Sequence, residues 1–121
     1  MKSISLLKKV EFHEKDPNAE PLFVSEEARV LRFALRPGQI VREHHAPHSP
    51  VIITVLQGRG LFAGGDGAEQ EFGPNDLLIF PAGENHSIRA LNEELIFTVF
   101  LREAPDAKST AYHRVGEKYA A

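Results

Sequence analysis

PGQIVREHHAPHSPVIITVLQGRG, residues 37–60, sets a Pro-Gly turn, three of the chain's six histidines and a dense β-branched run within 24 residues. The run Val51 to Leu56 is apolar at nearly every position, which predicts a strand covered on both faces. One face looks into a core and the other needs a second cover, for which a partner subunit is the candidate. Imidazole is the commonest protein ligand for transition metals, so His44, His45 and His48 at the entry to this strand raise a metal-site hypothesis. Side chains on an extended strand alternate, so at most one of the adjacent His44 and His45 faces a common interior. By the same parity His44 and His48 share a face if the backbone stays extended through Pro47 and Pro50.

Outward from this stretch the chain reads as short strands between turns. Arg29 to Arg36 alternates cleanly, with Leu31, Phe33 and Leu35 on one face and Arg32, Ala34 and Arg36 on a solvated one. Pro37-Gly38 reads as a type II turn, since proline presets φ and glycine accepts a positive φ. Residues 3–12 suggest an edge strand with Lys8 and Lys9 facing solvent, and His13 to Pro21 reads as a loop that leaves His13 solvated. Gly64-Gly65-Asp66-Gly67 is a hairpin-like turn rather than a phosphate cradle, because no helical pattern, lysine or Ser/Thr follows it. Glu69 to Phe72 returns from it, Gly73 to Asp76 turns again, Leu77 to Phe80 is an apolar strand, and Glu94 to Leu101 is a buried one. Residues 103–121 break this pattern and read either as a short helix interrupted at Gly116 or as a disordered end, with His113 unconnected to the other histidines.

Composition sets bounds. A chain of 121 residues fits one domain, 1–121, and 42% hydrophobic with 26% charged residues is the balance of a globular protein. A net charge of -3 provides no positive field for nucleic acid, so none is expected as a partner. No apolar run suggests a membrane span, and the N-terminal run, broken by Lys8 and Lys9, is too short for a signal peptide, so a cytoplasmic location is expected. With no cysteine there is no disulfide, thiolate ligand or thiol nucleophile, and any metal must be held by nitrogen or oxygen. Many short strands with frequent Gly and Pro turns predict an all-β sandwich or barrel.

The segment NDLLIFPAGENHSIRA, residues 75–90, carries a second histidine, His86, at the opening of a strand after a Pro-Ala-Gly turn. Together with residues 37–60 it resembles the paired motifs of the cupin superfamily, in its small single-domain form, over roughly residues 28–101. Gly38, His44 and Gly58 keep the register of the first motif, and Pro81, Gly83 and His86 that of the second. Four positions depart from the pattern. The family's second histidine falls on Ala46, its glutamate on Val51, the second motif's opening glycine on Asn75 and its closing asparagine on Ala90. The resemblance implies a double-stranded β-helix, or jelly-roll barrel, and the common cupin homodimer in which strands extend the partner's sheet.

Two functional readings follow. In the first, His44, His48 and His86, with His45 as substitute for His48, hold a divalent transition metal such as iron, manganese, nickel, copper or zinc. Open coordination positions then serve an oxygenase or isomerase acting on a small organic molecule. In the second, Ala46, Val51 and Ala90 mark a degenerate site, and the protein is a non-catalytic small-molecule-binding cupin. Under either reading, parity puts Val51, Ile53, Val55 and Gln57 on the pocket wall, which favours an apolar or aromatic ligand. Glu84 precedes His86 as a loop carboxylate, either solvated or reaching the cavity mouth as a base.

Overall fold

The computed structural model describes residues 1–102. It is all-β, with nine antiparallel strands: β1 (Asn18–Val24), β2 (Arg29–Leu35), β3 (Ile40–His44), β4 (Val51–Gln57), β5 (Gly60–Ala63), β6 (Glu69–Phe72), β7 (Leu77–Phe80), β8 (His86–Ala90) and β9 (Leu95–Leu101). A five-stranded sheet runs β1-β2-β9-β4-β7 and a four-stranded sheet runs β3-β8-β5-β6. One hydrophobic cluster joins them, taking Leu31, Phe33 and Phe97 from the first sheet and Val41, Phe62 and Ile88 from the second. This is the two-sheet jelly roll expected, and the alternation along β2 puts Leu31, Phe33 and Leu35 inside as its period requires. No helix among the described residues is long and apolar enough to cross a membrane.

Aromatic rings fill the centre. Phe33 and Phe97 stack at 5.0 Å between centroids, and Phe62 of the opposite sheet meets Phe97 edge-on at 5.9 Å. Such arrangements add to the free energy of area burial by about 0.5–1.5 kcal/mol per pair.

Three expectations for the N-terminal third are corrected. Residues 3–12 form no strand, and the first strand is β1, which takes in the end of the segment read as a loop. Pro21 is compatible with it because β1 is an edge strand and a bulge between Pro21 and Phe23 removes the need for a ladder N–H there. Arg32 is not solvated: it is 4% exposed, forms an ion pair with Glu20 at 2.6 Å, and donates to the carbonyls of Leu6 and Lys8 at 3.0 and 3.2 Å. The buried guanidinium thus does for the N-terminal segment what a neighbouring strand would have done, by occupying its carbonyls. The predicted C-terminal helix or disordered end, with His113, lies outside the described residues.

Turns follow the sequence closely. Gln39 N–H donates to the Arg36 carbonyl across Pro37-Gly38, with Gly38 at φ +81°, as a type II turn demands. Asn75 occupies the same turn position after Pro74, at φ 74°. It therefore performs the backbone role of the glycine it stands in for, since asparagine tolerates the left-handed region. Gly58 is more constrained: at φ +80° it also lies against the Glu94 carbonyl, which an added Cβ would strike, whereas a Cβ on Gly38 meets nothing. Gly38→Ala is therefore expected to cost about 1–2 kcal/mol of left-handed strain. Gly58→Ala should cost at least about 2 kcal/mol more, because backbone must move; urea denaturation of the two variants side by side measures the difference.

Candidate functional site

The two histidines that keep their motif positions face each other. His44 ends β3, His86 opens β8, and the two are direct partners in the antiparallel ladder. Their rings meet edge to face with centroids 4.2 Å apart. Register alone would not have produced this. Val41 pairs with Ile88 and points into the core, so in a regular strand His44 would point away from it. Three steps from Val41 to His44 against two from Ile88 to His86 insert one extra residue, and that bulge turns His44 inward.

Each ring is held by the backbone two residues before it. His44 Nδ1 lies 2.7 Å from the Arg42 carbonyl and His86 Nδ1 lies 3.2 Å from the Glu84 carbonyl. A carbonyl only accepts, so Nδ1 carries the proton in both rings and the lone pair is on Nε2. His86 is 2% exposed and stacks on Phe80 at 4.8 Å, while His44 is half-buried. Burial lowers the pKa of His86 below its ordinary 6.5, against smaller upward pulls from the Glu84 carbonyl and carboxylate, and His45 adds to the lowering. His86 is therefore a neutral imidazole near pH 7.

Beside the pair is a cavity of about 10 Å³, walled by Phe33, Val51, Ile53 and Phe97 among others. That is room for about one water molecule. The expected pocket is thus only partly assembled. Val51 and Ile53 line this cavity, Val55 is in the core but not on its wall, and Gln57 is exposed because a bulge between Val55 and Gln57 breaks the parity.

The remaining predicted ligands do not join the pair. Strand β3 stops at His44, and the Pro47 and Pro50 that follow carry His48 to the surface, where its carbonyl accepts from Arg102. His45 is exposed, close enough to His86 to influence its charge. Ala46 and Val51, at the other two ligand positions of the motif, are buried apolar side chains, 3% and 1% exposed. Among the described residues no group of three or more His, Asp or Glu side chains is arranged to hold a metal ion. Two imidazoles, with methyl groups where a third nitrogen and a carboxylate would stand, do not fit a resident four-ligand metal.

Glu84 has a structural occupation that the sequence did not reveal. Its carboxylate accepts from Gly65 N–H at 2.8 Å, tying the loop before His86 to the β5–β6 turn. A Cβ on Gly64 would collide with that carboxylate, so the glycine-rich turn is shaped to receive it. The two motif loops are also joined, by Gly83 N–H donating to the Ala46 carbonyl at 2.7 Å.

Comparison with known proteins matches residues 31–101 to the cupin domain family. An RmlC-like cupin protein from Desulfovibrio desulfuricans superposes with a TM-score of 0.78 at 27% identity, over 84% of this chain and 96% of that one. An uncharacterized conserved protein with a double-stranded β-helix domain from Klebsiella pneumoniae gives 0.79 at 21% identity, over 84% and 90%. A cupin superfamily protein from Desulfitobacterium hafniense gives 0.72 at 19% identity, over 84% and 92%. No curated protein matches the chain.

The lowered pKa of His86 has a thermodynamic consequence. The unfolded chain takes up this proton near pH 6.5 and the folded chain only at lower pH, so the contribution of His86 to stability is complete above pH 6.5. It is lost as pH falls from there through the folded pKa. Urea denaturation at about pH 7.5 and about pH 5.5 should show a drop that is smaller in His86→Phe, which keeps a ring against Phe80 but cannot titrate. An NMR titration should place the His86 midpoint below 6.5.

Proposed function

The chain belongs to the cupin family, and from that premise we propose that it is a small-molecule-binding cupin without a resident metal, its ligand held at the barrel mouth by the histidine pair. The observation that carries this reading is the composition of the motif's four ligand positions. Two are imidazoles in contact, and two are Ala46 and Val51, buried in the core. Such a site lacks ligand charge for a dication but keeps a directional polar group in an apolar setting, which is the usual build of a small-molecule site.

The ligand class follows from the protonation state. Neutral His86, protonated on Nδ1, presents Nε2 as an acceptor. It pairs with a hydroxyl or N–H of the ligand rather than with an anion. Phe80, Val51 and Ile53 are buried behind the pair and leave no space there for the ligand's body. Since the interior beside the pair holds only about 10 Å³, that body sits at the mouth formed by residues 45–50 and 81–85 and not inside the barrel. The Glu84 carboxylate is engaged with the Gly65 N–H and does not act as an acid–base partner for His86, and the reading is of binding rather than turnover.

One observation favours a second reading. Centroids 4.2 Å apart with both lone pairs on Nε2 suit two adjacent positions around one ion. In that case iron, manganese, nickel, copper or zinc would be held exchangeably, with its other positions filled from outside the chain.

Metal analysis and ligand titration separate the two. Protein purified without a histidine tag is expected to carry well below one equivalent of metal. Phenol-type fragments should shift the His86 ring resonances, with affinity falling roughly tenfold in His86→Phe, the loss of one hydrogen bond. About one ion per chain, lost in His86→Ala, would instead establish the second reading.

A further inference from the structure

The lysines of the N-terminal segment have lost the role the sequence suggested for them. Residues 3–12 form no strand, so Lys8 and Lys9 guard no sheet edge. Together with Lys2 they line a cavity of about 460 Å³ between this segment and strands β1 and β2. That is the size of an ordinary small-molecule site, about 300–1,000 Å³. It shares no residue with the cavity beside His86.

Charge is unevenly placed around this cavity. Arg32 and Glu20, both on its wall, form an ion pair at 2.6 Å and so offset each other. Lys2, Lys8 and Lys9 then leave three positive charges at one cavity, in a chain whose net charge is -3. Among the described residues no carboxylate pairs with any of the three, and the sequence has no acidic residue before Glu11. Lysines scattered over a surface are simply solvated. Three gathered at one cavity repel one another, and an anion among them turns that repulsion into attraction.

The lysines are also held in place. Lys2 Nζ donates to the Leu22 carbonyl at 3.0 Å, which leaves two of its three N–H groups for a ligand. Lys8 N–H donates to the Ser5 carbonyl at 3.1 Å, closing a turn, and Lys9 follows at φ 55°, a left-handed conformation that costs a lysine free energy. The buried Arg32 guanidinium fixes that turn through the carbonyls of Leu6, Lys8 and Lys9.

We propose that this cavity binds a small molecule bearing a phosphate group, at a site separate from the barrel mouth. A phosphate monoester carries about -1.5 to -2 charges and three acceptor oxygens at pH 7. Three ammonium groups, with the hydroxyls of Ser3 and Ser5 on the same wall, match it better than they match the single charge of a carboxylate. Ile4 and Leu22, also on the wall, receive a short organic body.

Inorganic pyrophosphate serves as the probe, titrated into the full chain at constant ionic strength so that general screening does not change. Amide NMR should show saturable shifts at residues 2–9 and 20–22, with the His86 ring resonances unmoved. Lys8→Gln/Lys9→Gln should weaken binding at least about tenfold, the loss of charge-assisted hydrogen bonds. Both side chains are exposed, so the double variant should keep the wild-type far-ultraviolet circular dichroism. Lys15→Gln, a charge change of equal size outside this cavity, should bind as wild type. A headgroup source is tested by sedimentation with phosphatidylglycerol vesicles, which should leave the protein in the supernatant. The proposal is overturned by shifts that do not saturate, by shifts centred on the barrel mouth, or by equal affinity in the double variant. Sedimentation with the vesicles in place of pyrophosphate binding overturns it as well.

Discussion

The packing of Phe33, Phe97 and Phe62 is the constraint on which both the fold and the candidate site depend. Phe97 is on β9, at the centre of the larger sheet, and is fully buried. Its stack with Phe33 and its edge contact with Phe62 bridge the sheets where a cupin barrel would otherwise be open. Close packing of this kind leaves voids no larger than a water molecule, and the space beside His86 is of that order. The aromatic core takes the interior, so the ligand proposed above is confined to the mouth, where β3 and β8 meet the loops.

The legible parts of the sequence were those governed by local chemistry. Period-two alternation placed Leu31, Phe33 and Leu35 in the core, and Pro37-Gly38 gave its turn, because neither depends on distant residues. Asn75 was legible only in retrospect. It departs from the motif in identity but adopts the same positive φ, so a physical reading of the turn is more tolerant than a letter-by-letter one. What the sequence hid were the bulges. One residue inserted between Val41 and His44 reverses the parity that an extended strand would impose, and another before Gln57 sends that side chain out. Nothing in the residue types announces either insertion, since a bulge is settled by pairing with a strand more than thirty residues away. His48 is at the surface because its parity with His44 holds only for extended backbone, and the strand ends at His44.

Arg32 and Glu84 show how charged side chains mislead when read alone. Alternation put Arg32 on the outer face, correctly, and from there solvation was the natural inference. The N-terminal segment crosses that face, however, and its carbonyls need donors that only a buried guanidinium supplies in such number. Glu84, next but one to a histidine, has the sequence context of a catalytic base. Its carboxylate instead completes the β5–β6 turn across a gap of nineteen residues. In both cases the decisive partner is backbone, which sequence patterns do not display.

These backbone ties also explain how the mouth keeps its shape with so few polar side chains. In a four-ligand metal site the ion itself draws the two motif loops together, and its binding free energy becomes folding free energy. Here the same loops are joined by Gly83 N–H to the Ala46 carbonyl, by the β3–β8 ladder, and by Glu84 to Gly65. The rings of His44 and His86 are in turn anchored to carbonyls of their own strands and loops, so their tautomers are set before anything binds. An ion is therefore not needed to organise the pair. A preorganised imidazole acceptor in a loop framework held by its own hydrogen bonds loses little entropy when a ligand docks, which is the property a binding site of this size requires.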